Sequence, residues 1–305
     1  MLDEAQLTHR LVEPGVVSRL VRVETTDSTN AELLRAAAAP DFAAQWPHMA
    51  VLTAEEQTAG RGRLGRGWAS PKSSTLSTSI LLRPSLPRQQ WHWLTLTAGL
   101  ALVRALGARD VAAALKWPND VHVDGRKIAG LLAVVPPDDP SAVIIGCGIN
   151  VLQSAEQLPT QTATSVVLEA QRAGHPTPDV ESAEAAALRT DLLADWLDSF
   201  AQLMRRIQQH ADVQPLRADI IAAVSTPGEQ VRVELPGGTA VRGRAVRVDT
   251  HGALEVEVTA RRRTVLDPEA GGGHEGLWES SRAVRESYTA GDVVHLRPAA
   301  GGRAR

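Results

Sequence analysis

The feature that most constrains the fold is a glycine- and arginine-rich segment between two predicted strands, Gly60–Arg66, which reads Gly-Arg-Gly-Arg-Leu-Gly-Arg. This spacing satisfies the Gly-x-Gly-x-x-Gly pattern of a dinucleotide-binding turn. That turn requires a helix after it and an acidic residue about 20 positions further on. Here the alternating stretch Thr75–Leu82 predicts a strand instead, and Arg83 and Pro84 follow it. A dinucleotide fold is therefore excluded, and so is a Walker A loop, because no Gly-Lys-Ser/Thr ends the segment.

The same segment has the chemistry of an anion clamp. Glycine allows backbone amides to approach a ligand closely. Arginine supplies a permanent charge and a planar fork of donors that matches a phosphate or a carboxylate. The segment therefore predicts a mobile loop that closes on an anion, and the alternative is an exposed linker with solvated charges.

The composition excludes several broad classes of protein. The chain has 305 residues, enough for one large and one smaller domain, and 43% hydrophobic residues, enough for an ordinary globular core. A formal net charge of -3 argues against a general nucleic-acid binder. The single cysteine, Cys147, excludes an internal disulfide and fits a reducing, cytoplasmic setting. Neither a signal peptide nor an apolar run of membrane-spanning length is present in the sequence.

Residues 1–225 predict an α+β domain with a mixed β-sheet and flanking helices, because strands and helices mix without a regular βαβ alternation. Apolar runs and alternation predict strands at Val16–Val23, Ala50–Ala54, Thr75–Leu82, Ala114–Trp117, Val121–Val123, Lys127–Val135 and Val143–Asn150. Helical spacing predicts helices at Ala31–Ala39, Trp91–Leu106 and Glu181–His210.

Residues 226–300 predict a second, smaller domain, because short alternating stretches and tight turns are typical of a small β-barrel. The predicted strands are Gln230–Leu235, Ala240–Val248, Ala253–Thr259 and Asp292–Leu296. The glycine-rich stretch Asp267–Ser287 interrupts this pattern and predicts a flexible insertion. We expect the last residues, 301–305, to be a disordered tail.

Two polar features precede the arginine loop. Ser28, Thr29 and Asn30 lie at the start of a predicted helix, where free amides and the helix dipole favour an anion; plain helix capping is the alternative. Gln57 can both donate and accept hydrogen bonds, which suits an amide or ureido group. Its alternative is an ordinary surface glutamine.

Two further motifs follow the loop. Lys116–Asp120 reads Lys-Trp-Pro-Asn-Asp and places polar groups at a rigid turn, and Lys127 returns across the hairpin. A lysine that leads into an apolar strand requires a nearby anion, and Asp120 is either that partner or a ligand of Mg²⁺. The alternative is a Lys–Asp pair that only closes the hairpin. Gly146–Asn150 ends a predicted central strand, where a flat ring could lie on the backbone or where the chain forms a bulge.

Together these motifs resemble one family, the biotin protein ligases, over about Val16 to Leu296. The resemblance is strongest between Asp27 and Asn150, where the motifs occur in the family's order. It implies a mixed α/β catalytic domain related to class II aminoacyl-tRNA synthetases and lipoate ligases, followed by an SH3-like barrel.

The resemblance also implies a two-step reaction. The biotin carboxylate attacks the α-phosphate of ATP to give biotinyl-5′-AMP, and a lysine of a biotin carboxyl carrier domain then takes the biotin and releases AMP. The implied substrates are biotin and ATP, with Mg²⁺. The biotin-binding residues implied are Ser28, Thr29, Asn30, Gln57, Gly60, Arg61, Gly62, Arg63, Lys127 and Gly130. The ATP-binding residues implied are Arg63, Arg66, Trp68, Lys116, Asn119 and Asn150. Lys127, Arg63 and Asp120 are the expected catalytic residues, and Asp120 is also the expected metal ligand.

Two departures from the family bear on partners. The first predicted strand begins near residue 16, which leaves no room for the DNA-binding domain of some members. We therefore expect a cytoplasmic ligase that acts on acyl-CoA carboxylase carriers without DNA or membrane, as a monomer or weak homodimer. The stretch at 267–287 is longer than a compact barrel needs. The rival functions are a lipoate or octanoyl ligase on the same fold and a non-catalytic biotin sensor.

Overall fold

The computed structural model describes residues 1–235, 239–262, 278–289 and 291–296. The chain divides into two compact units. The first contains Met1–Leu115 and Asn119–Ala223, and the second contains Lys116–Pro118 together with the chain from Val224 onward. A search of the described helices finds none with the length and apolar character needed to cross a membrane.

The first unit is built on an eight-stranded mixed sheet, which confirms the predicted fold class. The strands are β1 Arg19–Thr26, β2 Ala50–Arg61, β3 Gly67–Ser70, β4 Thr75–Leu82, β5 Ala114–Lys116, β6 Asp120–Val123, β7 Arg126–Val134 and β8 Val143–Asn150. Their order is β1-β2-β4-β8-β7-β6-β5, with β3 paired to β2. Strands β1 and β2 are parallel, whereas β2, β4, β8, β7 and β6 pair in antiparallel fashion.

Helices cover the sheet and supply most of the core. They are α1 Glu4–Leu7, α2 Thr29–Ala36, α3 Phe42–Gln45, α4 His92–Gly107, α5 Val166–Arg172, α6 Ala183–His210 and α7 Gln214–Ala223. Leu33 of α2 packs with Leu52 and Ile144 of the sheet, and all three side chains are buried. Leu131 of β7 lies against Gly99 of α4. Because side chains alternate along a strand, α2 and α4 cover opposite faces of the sheet.

Several predicted boundaries in this unit were wrong. The first strand begins at Arg19, because residues 13–18 form turns and bends instead of continuing to extend from Val16. Strand β2 continues through Arg61, well beyond the predicted end at Ala54, because its second half pairs with β1 and β3. Gln57, Gly60 and Arg61 are therefore strand residues. The helices α1, α3, α5 and α7 and the strand β3 were not predicted.

The second unit contains a five-stranded antiparallel sheet, which confirms the predicted β-domain. Its strands are β9 Gln230–Glu234, β10 Ala240–Val248, β11 Leu254–Arg262, β12 Trp278–Tyr288 and β13 Asp292–His295. Their order is β12-β11-β10-β9-β13, an open series in which closure into a barrel is not among the described pairings. Trp117 is buried in this unit, where its Nε1 donates to the carbonyl of Gly252 at 2.9 Å and its backbone N donates to Oγ1 of Thr226 at 3.0 Å.

The predicted flexible insertion at Asp267–Ser287 was wrong over its second half. Residues 278–287 belong to β12, which pairs with β11 from Arg262↔Trp278 to Leu254↔Tyr288. Most side chains of β12 are exposed, so the strand has none of the apolar alternation by which strands are recognised. Residues 267–277 and the predicted tail at 301–305 lie outside the described residues.

Candidate active site

The candidate site lies on the α2 face of the first unit's sheet, where small and polar residues replace the apolar side chains of the core. Ser77 and Ser79 of β4 pair with Gly148 and Gly146 of β8. Gly130 of β7 pairs with Gly148 in turn. This patch is the glycine floor, defined here as Gly130, Gly146 and Gly148. Without side chains it leaves room for other groups to lie directly on the backbone.

A partly buried hydrogen-bond network borders the glycine floor. The Oε1 atom of Gln57 accepts from the backbone N of Thr29 at 2.8 Å and from its Oγ1 at 3.1 Å. The Oγ of Ser79 lies 2.7 Å from both Thr29 Oγ1 and Asn30 Oδ1. Asn30 Nδ2 donates to the carbonyl of Leu132 at 3.2 Å. The network therefore joins the start of α2 to strands β2, β4 and β7.

The sequence placed Ser28, Thr29 and Asn30 at a helix start, and the structure agrees. Ser28 is the N-cap residue of α2, and its own backbone N donates to Asp27 Oδ1 at 2.7 Å. Its side chain is buried and makes no capping bond within the described part of the chain. The Ser28 hydroxyl therefore does not cap α2, contrary to the plain-capping alternative.

Three serines of this network were missed by sequence reasoning. Ser70 Oγ accepts from Gln57 Nε2 at 3.3 Å and from Ser77 Oγ at 2.9 Å, and Ser79 joins Thr29 to Asn30. A serine inside a strand reads as an ordinary strand residue. The available signal was the number of hydroxyls in β4, a strand whose every residue is buried.

Close approach explains the glycines of the floor. A Cβ on Gly148 would lie 2.3 Å from Cε2 and Nε1 of Trp68, and one on Gly146 would lie 2.6 Å from Asn30 Oδ1. A Cβ on Gly130 would lie 3.0 Å from Nζ of Lys127. The Trp68 indole thus rests on the floor, and its Nε1 is buried without a hydrogen-bond partner among the described residues. The flat ring that lies on this backbone in the structure is that of Trp68, and a ligand ring on Gly146–Asn150 stays a prediction.

Lys127 and Asp120 form an ion pair beside the floor. Lys127 Nζ lies 2.7 Å from Asp120 Oδ1 and 5.6 Å from the centre of the Trp68 ring. Their side chains are 34% and 20% exposed, so this pair is partly desolvated. The predicted contact between the two residues is present.

The ion pair sets the protonation state of Asp120. Burial opposes ionisation of the carboxyl, but the contacts with His122 and Lys127 outweigh it and lower the pKa from 3.8 to about 2. His122 Nε2 lies 3.7 Å from Asp120 Oδ2, beyond hydrogen-bond distance, so we assign the lowering chiefly to Lys127. A carboxylate with so low a pKa is a weak proton acceptor.

The arginine loop contacts the Lys116–Asp120 motif. After β2 the chain makes a 3₁₀ turn at Arg63–Gly65, closed by a bond from Gly62 N to Arg66 O at 2.7 Å. Arg63 Nη1 donates to Asn119 Oδ1 at 3.2 Å, and Asn119 Nδ2 donates to the carbonyl of Leu131 at 2.6 Å. Arg63 therefore connects the loop to the sheet.

Four other predicted residues lie at the ends of the arginine loop and in strands β5 and β8. Arg61 and Arg66 are exposed at the ends of the loop. Asn150 is buried, and its Nδ2 donates to the carbonyl of Thr164 at 2.9 Å. Lys116 ends β5 and belongs to the second unit. Their contacts with a nucleotide stay predictions.

The described residues do not fit a metal ion held by the protein. No group of three or more His, Cys, Asp or Glu side chains that could hold one exists among them. The Asp120 carboxylate is already paired with the ammonium of Lys127.

Comparison with known proteins identifies the family. A model of the biotin/lipoate A/B protein ligase family matches residues 23–150. The biotin–[acetyl-CoA-carboxylase] ligase of Mycobacterium tuberculosis is 37% identical, over 97% of this chain and 96% of that protein. The ligase of the same name from Paracoccus denitrificans is 31% identical, over 79% of this chain and 95% of that protein.

The fold is shared with a solved ligase. The Aquifex aeolicus biotin protein ligase, solved in complex with biotin and ATP, matches with a TM-score of 0.65 at 23% identity, over 92% of this chain and 99% of that chain. At this identity the likeness concerns the fold alone. The two relatives match along almost their whole length, which confirms the resemblance seen in the motifs. The chain belongs to the biotin protein ligases of the biotin/lipoate A/B protein ligase family.

Proposed function

We propose that this chain activates biotin with ATP to biotinyl-5′-AMP and transfers the biotin to a lysine of a biotin carboxyl carrier domain. The observation that carries the proposal is the 37% identity to a biotin–[acetyl-CoA-carboxylase] ligase along 97% of the chain. The candidate site supplies groups that such a reaction needs: hydrogen-bonding side chains for a ureido ring and cations for two anionic substrates.

The ureido ring of biotin is assigned to the network at the start of α2. A ureido group carries two N–H donors and one carbonyl acceptor on a flat, neutral ring. Gln57 and Asn30 carry amides, and Ser28 and Thr29 carry hydroxyls, so this part of the pocket can both donate and accept. Fixed donors and acceptors of this kind discriminate strongly against a ligand that lacks the matching groups.

The first step joins two anions, so their charges must be neutralised before they meet. An oxygen of the biotin carboxylate forms a bond to the α-phosphorus of ATP, and the bond to pyrophosphate breaks. Lys127 is half-buried beside the floor, Arg61 ends β2, and Arg63 lies in the 3₁₀ turn that follows. We assign to these three cations the charge that develops at phosphorus.

Magnesium is proposed to accompany the nucleotide, because Mg²⁺ is commonly bound through phosphate oxygens and only one or two carboxylates. When bound with ATP it would add positive charge at the phosphates.

The residues proposed to bind the nucleotide remain Arg66, Trp68, Lys116, Asn119 and Asn150.

Asp120 is assigned a holding role in place of a catalytic base. In the second step the amine of the carrier lysine attacks the acyl carbon and AMP leaves. A carboxylate whose pKa is about 2 would accept the proton of that amine poorly. Its bond to Lys127 at 2.7 Å instead keeps the ammonium beside the floor until the anionic substrates arrive.

The arginine loop is proposed to seal the intermediate. An acyl adenylate is readily hydrolysed, so water has to be kept from it until the carrier binds. Arg63 of the loop contacts Asn119, and Trp68 of the following strand β3 lies on Gly148. Ordering of this loop around the adenylate would complete the closure.

A transfer assay tests the proposal against its two rivals. The chain is incubated with ATP, a carrier domain and labelled biotin, with lipoate in a parallel reaction, and pyrophosphate release and label on the carrier are measured. We expect both signals with biotin only. Activation of lipoate alone would favour the lipoate ligase, and binding of biotin without transfer would favour the sensor.

The remaining properties are proposals as well. The single cysteine, which is buried, supports a cytoplasmic setting. The net charge of -3 gives no support to nucleic acid as a partner. A monomer or weak homodimer is expected, and sedimentation with and without biotin and ATP would measure it.

A further inference from the structure

A cluster of charged residues is centred on the buried Glu169 of α5 and includes Arg126, the neighbour of Lys127 in the sequence. The side chain of Glu169 is only 9% exposed. Its Oε1 accepts from Arg126 Nε at 3.2 Å and its Oε2 from Arg126 Nη2 at 3.0 Å, so the guanidinium fork is engaged at both prongs. Arg172 Nη1 lies 2.5 Å from the same Oε1, and the hydroxyl of Thr164 also donates to it.

The cluster reaches Lys127 through the backbone. The backbone N of Lys127 donates to the carbonyl of Thr162 at 2.8 Å, and its carbonyl accepts from the backbone N of Thr164 at 2.8 Å. These two segments of the chain form an isolated parallel β-bridge between Lys127 and Ala163. Both polar backbone groups of Lys127 are therefore bonded to the 162–164 segment.

Glu169 holds Lys127 from two directions. It accepts from Arg126, the residue directly before Lys127 in β7. It also accepts from Thr164, whose backbone bonds to the Lys127 carbonyl. Loss of the carboxylate would remove the side-chain bonds that connect Arg126 of β7 to Thr164.

We propose that Glu169 is a positioning residue for activation of biotin: its carboxylate fixes the backbone from which the Lys127 ammonium reaches the reacting anions. The proposal rests on the proposed function, in which Lys127 neutralises charge at phosphorus. The requirement for a carboxylate, as opposed to a side chain of similar shape, follows from the donors. Three positively charged or hydroxyl donors meet Oε1 and a fourth meets Oε2, and a glutamine would present an N–H to some of them.

The ionisation of Glu169 agrees with this arrangement. Burial favours the neutral acid, but the hydrogen bonds from Arg126 and Thr164 and the charges of Arg126 and Arg172 prevail, so the pKa lies below its ordinary value. The group is therefore a carboxylate at neutral pH.

The test compares Glu169→Gln with a matched control, Asp139→Asn. Asp139 pairs with Arg83 at 2.6 Å, and the two side chains are 20% and 23% exposed, which resembles the 9% and 24% of Glu169 and Arg126. This control breaks a comparable ion pair that does not contact Lys127. Both variants of the full-length chain are assayed for biotin-dependent pyrophosphate release and for thermal unfolding.

We expect Glu169→Gln to lower kcat/KM for biotin activation by about tenfold to a hundredfold, as a small misplacement of a catalytic group can do. The activity of Asp139→Asn should stay within about twofold of the wild type. Its melting temperature should fall by about as much as that of Glu169→Gln. Glu169→Asp, which keeps the charge, should recover part of the loss. In a Lys127→Ala background, Glu169→Gln should cause no further loss of activation, because the residue acts through Lys127.

Equal activity of Glu169→Gln and Asp139→Asn would overturn the inference, as would full additivity with Lys127→Ala. If Glu169→Gln does not fold, Arg126→Lys is measured instead, since it keeps the positive charge but loses the two-pronged contact of the guanidinium with Glu169. Its activity is compared with that of Asp139→Asn and with Lys127→Ala in the same way. A wild-type chain without biotin-dependent pyrophosphate release would overturn the proposed function and this inference with it. An active wild type with an equally active Glu169→Gln would overturn this inference alone.

Discussion

Replacement of Gly146 by alanine tests the close contact between the glycine floor and Asn30. The added Cβ would lie 2.6 Å from Oδ1, 2.7 Å from Nδ2 and 2.8 Å from Cγ of Asn30. Ordinary contacts of a Cβ begin near 3.4 Å, so the Asn30 amide must move by several tenths of an ångström. That amide is held by Ser79 Oγ at 2.7 Å and donates to the carbonyl of Leu132 at 3.2 Å. The substitution therefore cannot be accommodated without weakening these two bonds.

The magnitude follows from those bonds. A typical intramolecular hydrogen bond contributes about 0.5–1.5 kcal/mol net, so weakening two of them lowers the free energy of unfolding by about 1–3 kcal/mol. The same displacement moves Asn30 and its partner Ser79 out of the geometry proposed for the ureido ring. A separate loss of about 1–3 kcal/mol in the free energy of biotin binding would lower the affinity by about 5- to 150-fold.

The assay is titration calorimetry with biotin, combined with denaturant unfolding of each variant. Gly107→Ala is the control, because Gly107 ends α4 and a Cβ there meets nothing within 4 Å. The variants Gly146→Ala and Asn30→Ala are also combined. Since the clash disappears when Asn30 is shortened, the double variant should be about as stable as Asn30→Ala alone. Biotin binding by Gly146→Ala within twofold of the wild type, or additive losses of stability, would refute the reasoning.

Three further variants test the charged groups. Lys127→Ala should abolish most biotin-dependent pyrophosphate release while the chain stays folded by circular dichroism; a variant that is only less stable and keeps its rate would show a structural role. Arg63→Ala removes the bond to Asn119, so adenylate should form slowly and leak, as single-turnover retention of labelled adenylate would report; normal rate and retention would refute the seal. The folded pKa of Asp120 is about 2, below its ordinary 3.8, so its charge stabilises the fold above about pH 4 and this contribution disappears as the pH falls towards 2. Asp120→Asn should remove that part of the acid dependence in pH-dependent unfolding, and an unchanged profile would contradict the assignment.

The sequence predicted the sheet better than the site. Strands β4, β8 and β10 have the predicted bounds, because apolar or alternating runs between clear turn signals define both ends of a strand. Strand β12 was missed because its side chains are mostly exposed and polar, and its place in the sheet depends on pairing with β11. Long-range pairing of this kind has no local signal.

The site residues were predicted separately, and only the fold joins them. Thr29 and Gln57 are 28 positions apart, yet the parallel register of β1 and β2 pairs Thr26 with Gln57 and so brings the start of α2 beside the glutamine. No local pattern in the sequence states that register. Ser79 and Glu169 were missed for the same reason, since a strand serine and a helix glutamate are ordinary residues until their partners are known.

The most direct test of the central claim is exchange of labelled pyrophosphate into ATP, measured with biotin, with lipoate and without acid. The reaction reports the first step alone and does not depend on the identity of the carrier. The account predicts exchange that requires biotin, is not supported by lipoate, and is largely lost in Lys127→Ala. Exchange with lipoate and none with biotin, or no exchange with either acid by the folded chain, would contradict it.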